Sequence, residues 1–311
     1  MTLSFFLRRF LQALAVLLSL SFVIYILIGL MPGDPIDLMA AGNPHLTPEG
    51  LTRLHELHGL DRPLVERYTR WVLQAASGDL GYSRTYGLPV LQVITPRLLA
   101  TATLMGLALA LSVIIAIPLG IAAARKPEST LDLIVSTLCL AGISLPPFWM
   151  GLLLITFFSV KLSWLPATAL TDQPLSWILP VLTLTTGGIA AYIRHARGAM
   201  IEAMKADCIR TARAKGCSEA RVIWNHAFRA ALPPLVTLFM LDLGALLSGA
   251  ATVEIVFAYP GMGRLMFDAV MGNDYNLALA GFLILALCVL VANMLADIFY
   301  ALLDRRAGEK T

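Results

Sequence analysis

The sequence predicts an all-α, polytopic membrane protein with six transmembrane helices, and three observations predict it. Of the 311 residues, 58% are hydrophobic and 14% charged, with a mean hydropathy of +0.77, too little polar surface to cover a water-facing exterior. Six runs supply the about 20 apolar residues that a helix needs to cross a hydrocarbon core, at 10–31, 98–124, 131–160, 177–193, 232–256 and 277–303. Alternation of period two is absent, so these runs are helices rather than barrel strands.

The first run follows Arg8-Arg9, exceeds the apolar region of a signal peptide, and ends in Met31-Pro-Gly-Asp-Pro35 without a small-x-small cleavage site. It therefore reads as an uncleaved anchor. Segment 32–97 carries two helical patterns. Thr47-Pro48 is a helix start, Leu51, Leu54 and Leu57 share a face, and Gly59 closes the turn. A second helix is expected over 63–76, with Val65, Tyr68, Trp71, Val72 and Ala75 at helical spacing and Gly78-Asp79 ending it. Such a cap can pack on the membrane part or receive a soluble partner. In the later runs, prolines at 118, 146, 147, 180, 233 and 234 break backbone hydrogen bonding and leave helices bent or jointed, which suits a gated pathway. Pro146 and Pro147 are the adjacent pair inside the third run and are gating candidates. The organisation is thus 1–31 as N-terminal end and first span, 32–97 as an outside segment, and 98–311 as a core of five further spans.

Lysine and arginine in the short loops set the orientation. With the N-terminus in the cytoplasm, 15 of 23 basic residues lie inside, and six of the others fall in the long 32–97 segment, where the rule binds weakly. Both termini are expected inside, with outside loops at about 32–97, 161–176 and 257–276.

Between the fourth and fifth runs, residues 194–231 hold a basic segment. From 194 to 229 eight Arg and Lys face three acids, a net +5. Positive charge alone is what the orientation rule delivers; a helix–Gly–Ser–helix order is not. The core of the segment is Asp207, Cys208, Ile209, Arg210, Thr211, Ala212, Arg213, Ala214, Lys215, Gly216, Cys217, Ser218, Glu219, Ala220 and Arg221. A helix is expected to run to Gly216, which ends it in the left-handed conformation, and Ser218 is placed to cap a second helix. Asp207 and Arg210 can pair at i, i+3, while Ala212 and Ala214 allow close packing.

Catalytic signals are missing. No GxxxxGK[ST] phosphate loop is present, nor HExxH, nor GxSxG, so no catalytic residues are assigned and any ATP-driven work needs another subunit. His55 and His58 share a helix face without a third ligand, and Cys139, Cys208, Cys217 and Cys288 form no CxxC pair, so no metal site is assigned. Ionisable residues in or near spans are Asp242, Glu254 and Asp297. Such groups usually face a bundle interior or a wet cavity, which makes Asp242 and Glu254 pathway candidates. Glu254 and Asp297 lie near the interfaces, where a structural hydrogen bond serves equally well. Asp242 alone sits near mid-depth.

The run Arg210-Thr-Ala-Arg-Ala-Lys-Gly216, nine residues, then His226-Ala-Phe-Arg-Ala-Ala-Leu-Pro-Pro-Leu235 resembles the cytoplasmic "EAA" loop of permease subunits of ABC importers, in its peptide/nickel version. Supporting motifs span the chain: Pro32-Gly-Asp-Pro35, Gly59-Leu-Asp-Arg-Pro63, Gly78-Asp-Leu-Gly-Tyr-Ser83 with Pro89-Val90, Pro147-Phe-Trp149, Trp164-Leu-Pro166, Val253-Glu-Ile-Val-Phe-Ala-Tyr-Pro-Gly-Met-Gly-Arg264, and Asn293 with Asp297. The sequence has Arg210-Thr211-Ala212 where the motif's name requires Glu-Ala-Ala, and Phe228-Arg229 where the general motif has Leu-Pro.

The resemblance implies a type I ABC importer permease in a bacterial inner membrane, moving di- and oligopeptides, or in a variant nickel, nickel chelates or glutathione. It implies that the loop at 205–222 docks in a groove on a cytoplasmic ATPase. Partners are then a homologous second permease, two ATP-binding subunits and a periplasmic or lipid-anchored solute-binding protein, with membrane lipid around them and no nucleic acid. ATP and Mg belong to the partner subunits, and this chain is expected to hold no cofactor. An ion-coupled secondary transporter is the rival reading; it wants inverted repeats and ionisable groups at mid-depth, of which only Asp242 is present.

Overall fold

A computed structural model describes residues 3–30, 62–169, 174–245 and 250–303. In chain order its helices are α1 (Leu3–Gly29), α2 (Leu64–Ala76), α3 (Val90–Arg125), α4 (Thr130–Ser144), α5 (Pro147–Leu154), α6 (Ile178–Ala203), α7 (Asp207–Ala214), α8 (Glu219–Arg221), α9 (Phe228–Ala245), α10 (Ala251–Val256), α11 (Met262–Met271) and α12 (Tyr275–Leu303). A π-helical stretch at Ile155–Lys161 extends α5, and another at Val222–Ala227 leads into α9. Among the described residues the only extended pairing is an isolated bridge between Tyr82 and Pro89. The chain divides into two compact units, 99–264 with 289–311, and 2–98 with 265–288.

Among the described residues four helical stretches are long and apolar enough to cross a membrane, at α1, α3, α6 and α12, and five crossings result if one bent pair counts as a span. That pair corrects the third expected run. Residues 131–160 do not form a single straight crossing, because α4 and the α5 stretch meet at 103°. The cause is local: Pro146 drives Leu145 out of the helical region (ψ 124), and Pro147 does the same to Pro146 (ψ 139) before starting α5 at its first position. Pro118, Pro180, Pro233 and Pro234 lie within helices that continue past them. The fifth expected run, 232–256, is present as α9 and α10, with 246–249 outside the described residues. The fourth runs on to Ala203, ten residues past its expected end; arginine, alanine, methionine and glutamate extend the helix where hydropathy falls.

In the unit 2–98 with 265–288, the helix expected at 63–76 is α2. Its Tyr68 hydroxyl bonds the Leu18 carbonyl at 3.0 Å and the Ser21 hydroxyl at 2.8 Å, and its ring meets Phe22 and Tyr25 edge-on at 5.0 and 5.6 Å. Gly78, at φ +88, ends α2 as expected, and the Asp79 amide reaches back to the Gln74 carbonyl at 3.1 Å. The helix expected at 47–59, with His55 and His58, lies outside the described residues. Beyond α2, the chain after Gly78 is clasped to the start of α12. Asp274, 1% exposed, accepts from the Ser83 hydroxyl at 2.5 Å and the Thr85 amide at 2.9 Å while capping α12 at the Leu277 amide.

In the unit 99–264 with 289–311, α3 and α6 approach closely through small residues. A Cβ on Gly120 would lie 2.7 Å from the Ala196 Cβ, and the Ser112 hydroxyl reaches the Thr185 carbonyl at 3.3 Å. Against α6 also pack α4, α5 and α9.

Candidate functional site

The basic segment folds as two helical pieces around a left-handed glycine. Asp207–Ala214 forms α7, and Gly216 follows at φ +74. The Cys217 amide donates to the Ala212 carbonyl at 3.2 Å and the Gly216 amide to the Arg213 carbonyl at 2.9 Å, the paired bonds of a Schellman cap. With no Cβ the left-handed turn is unstrained, and nothing lies within 4 Å of where a Cβ would sit. The exit angle is thus fixed by backbone conformation.

One face of α7 anchors it. Ile209 and Ala212 are buried among Ile121, Met200, Val222 and Ile223. The other face carries Asp207, Arg210, Thr211, Arg213, Ala214 and Lys215 into the open. Ala214, two residues from Ala212, lies on the open side of the helix. Arg210 pairs with Asp207 at 3.7 Å as expected. Ser218 takes the N-cap position of α8, but its hydroxyl makes no capping bond; only its carbonyl is used, by the Val222 amide at 3.0 Å. Across the glycine, Arg213 grips Glu219 with two bonds of 2.9 and 3.2 Å. That guanidinium holds the Glu219 carboxyl below its ordinary range and is itself raised in turn. Arg221 is exposed, and Cys217 half-buried. Beside α7 a cavity of about 490 Å³ opens, lined by Cys208, Asn225, His226, Arg229 and Ala230.

The sequence reading missed the anchor above this loop. Arg197, near the end of α6, reaches Asp132 in the first turn of α4 with bonds of 2.5 and 2.7 Å, and Asp132 is 2% exposed. The Glu128 amide adds a third bond at 2.9 Å. A bidentate arginine–carboxylate pair with further donors is the arrangement in which burial of two charges is tolerated. Sixty-five residues separate the partners. The one local signal was an acid in the first turn after a capping Ser129.

The pathway candidates fall in three settings. Pro146 and Pro147 form the 103° joint. Glu254 is fully buried and faces protein, not an opening: it accepts from the Thr101 hydroxyl at 2.5 Å and the Arg264 amide at 3.0 Å, and Thr101 accepts in turn from the Met262 amide at 2.7 Å. Its carboxylate is the post around which residues 253–264 wind. Asp242 is half-buried on α9, and its polar neighbour is Tyr192 of α6. The structure brings together the loop residues 207–221; it does not bring Asp242 and Glu254 to one site.

Comparison with known proteins places these features in a family. Residues 116–309 match the family model "Binding-protein-dependent transport system inner membrane component", and residues 2–105 match the N-terminal model of the same systems. The chain is 34% identical to the oligopeptide transport system permease protein AppB of Bacillus subtilis, over 97% of this chain and 98% of that one. It is 36% identical to the di/tripeptide transport system permease protein DppB of Pseudomonas aeruginosa, over 98% of each. Among solved structures, the inward-facing MetNI methionine ABC transporter is similar in fold, with a TM-score of 0.59 and 18% identity over 69% of this chain and 98% of that one. An amino acid ABC transporter matches with a TM-score of 0.51, again at 18% identity, over 69% of this chain and 94% of that one.

Proposed function

The chain belongs to the family of inner-membrane components of binding-protein-dependent transport systems, and from that premise we propose that it is the permease subunit of an ATP-driven importer of di- and oligopeptides. Full-length similarity to an oligopeptide and a di/tripeptide permease supports the substrate class. The observation that carries the coupling role is the geometry of α7: a short helix, buried on one side by Ile209 and Ala212, basic on the other, and set at a fixed angle by Gly216.

In this reading the basic segment lies in the cytoplasm with both termini, and α7 sits in a groove of an ATPase subunit. One chain offers one such helix, whereas an ATPase pair offers two grooves, so a homologous second permease completes the assembly. Closure of the ATPases on ATP draws the two helices together. That movement enters the membrane through α6, which ends at the loop and is tied to α4 by Arg197 and Asp132. The joint at Pro146 and Pro147 and the half-buried Asp242 are then candidates for the moving pathway. ATP and Mg bind the partner subunits, and a solute-binding protein delivers peptide to the outside segments.

Purification of the chain from its native membrane in mild detergent tests this. Recovery of a second permease and P-loop ATPases, with peptide uptake after reconstitution with the binding protein, is expected. A chain that purifies alone and drives ion-dependent uptake overturns it.

A further inference from the structure

Two helical segments wall the cavity of about 490 Å³ beside α7, a size within the range of about 300–1,000 Å³ usual for small-molecule sites. From α7 comes Cys208, four residues before the buried Ala212 and so beside the anchored stripe, away from Arg210 and Ala214. From the stretch that leads into α9 come Asn225 with Arg229, and His226 with Ala230, each pair at i, i+4. The polar lining is rich in donors: a guanidinium, an imidazole and a side-chain amide. Among the described residues none of the three has a hydrogen-bond or ion-pair partner, and no carboxylate lines the cavity. Asp207, next to Cys208, turns to Arg210 instead, at 3.7 Å. Unpaired donors around one fixed positive charge fit an anion.

The depth of the cavity says which anion. Arg229 precedes Leu232, where the fifth apolar run begins, by about 4–5 Å of helix rise. The headgroup layer outside the hydrocarbon is about 5–7 Å thick on each side. The guanidinium therefore stands at the level of lipid phosphates. A second, independent feature lies at the same level. Trp224 is 51% exposed, braced edge-on by Phe228 at 5.7 Å, in a segment of net charge +5. An indole left open among basic residues beside a span is placed as an interfacial anchor. Trp224, Asn225 and His226 all belong to the π-helical stretch Val222–Ala227, a widening of the helix found frequently at functional sites.

We propose that this cavity holds the phosphodiester of an anionic phospholipid of the cytoplasmic leaflet, which braces the coupling loop against the membrane; this rests on the cytoplasmic placement of the basic segment proposed above. The fork of Arg229 matches the two non-bridging oxygens of a phosphodiester, and the Asn225 amide and His226 ring donate to the lone pairs left over. A zwitterionic lipid offers the same phosphate but brings an ammonium, for which the lining has no carboxylate and which Arg229 repels, so an anionic headgroup is preferred. A carboxylate of the ATPase is the rival occupant. Cys208 beside the anchored stripe and Trp224 at headgroup level favour the lipid.

The complete complex is reconstituted into nanodiscs of phosphatidylcholine with rising proportions of phosphatidylglycerol, released into mild detergent, and its retained lipids are counted by native mass spectrometry. The wild type is expected to keep phosphatidylglycerol in preference to phosphatidylcholine, also under excess inorganic phosphate. Arg229→Gln should weaken that retention by about tenfold, and Arg229→Lys by less. Should Arg229→Gln fail to assemble, Ala230→Leu, which fills the cavity and leaves every donor in place, carries the test and should also shed the lipid. Equal retention by variant and wild type, or of the two lipids, overturns the inference. Displacement by inorganic phosphate overturns it in favour of a free anion. Phosphatidylglycerol held by the chain alone but shed when the ATPases bind overturns it in favour of an ATPase contact. Retention is read without transport, so a wild-type complex that imports no peptide counts against the peptide-permease reading while the lipid result still decides this one.

Discussion

Arg213 and Glu219 meet across the Gly216 turn, guanidinium to carboxylate in two bonds, and so tie the end of α7 to the start of the helix that re-enters the bundle. Both are exposed to solvent, and such pairs add little stability but restrict geometry. Arginine lowers the Glu219 pKa from its ordinary 4.5. For a carboxyl depressed in the folded state, the contribution is present above the unfolded value and is lost as pH falls through the lowered one. Carbon-13 titration of Glu219 in the full chain should give a midpoint below the usual glutamate range, returned to it by Arg213→Ala. A midpoint that Arg213→Ala leaves in place removes the pair from the account.

Gly216 sets the direction in which α7 leaves the loop. At φ +74 a β-branched residue is strained by about 1–2 kcal/mol, although a Cβ has open space there. Gly216→Val is therefore expected to insert and assemble while ATP hydrolysis no longer drives uptake, and Gly216→Asn, which tolerates the left-handed region, should restore much of it. Normal uptake in Gly216→Val would sink the lever.

The Asp132–Arg197 pair should respond asymmetrically to mutation. Removing one partner leaves the other charge without its compensation, at a cost of about 3 kcal/mol, the low end of the usual range because the Arg197 side chain is 30% exposed. Replacing both, as Asp132→Asn with Arg197→Gln, should cost less than Arg197→Gln alone. Denaturation in mixed detergent micelles measures all three. A double variant less stable than the single one would show that the pair is not a compensated charge couple.

What could be read from the sequence follows the range of the interaction that fixes it. Gly216, Gly78 and the α2 face depend on residues within one or two turns, and each stands where local rules put it. The Pro146–Pro147 joint was visible as a helix breaker, yet hydropathy, which is blind to direction, made one crossing of a stretch that bends by 103°. Asp132 with Arg197, Glu254 with Thr101, and Ser83 with Asp274 join residues 65, 153 and 191 apart, and no periodicity carries such pairings. Glu254 shows the cost of that blindness. Its charge made it a pathway candidate while its place near the interface suited a structural bond equally well, and its partners show a buried post.

That post makes Gly261 the most demanding glycine among the described residues. A Cβ there would lie 2.2 Å from the Glu254 carboxyl carbon, and the carboxylate cannot swing aside without releasing the Thr101 hydroxyl and the Arg264 amide. Overpacking costs about 1–3 kcal/mol and each abandoned buried donor about as much again. Gly261→Ala should thus destabilise by more than about 3 kcal/mol, against about 1–3 for Thr101→Val, which strands the Met262 amide and removes one bond from the carboxylate. Glu254→Ala with Gly261→Ala frees the space and should be more stable than Gly261→Ala alone, although it lacks every bond the carboxylate made. Mixed-micelle denaturation of the three variants gives the order. If the double variant is the weakest, the clash at Gly261 is not what its Cβ costs, and the bonds to Glu254 outweigh it.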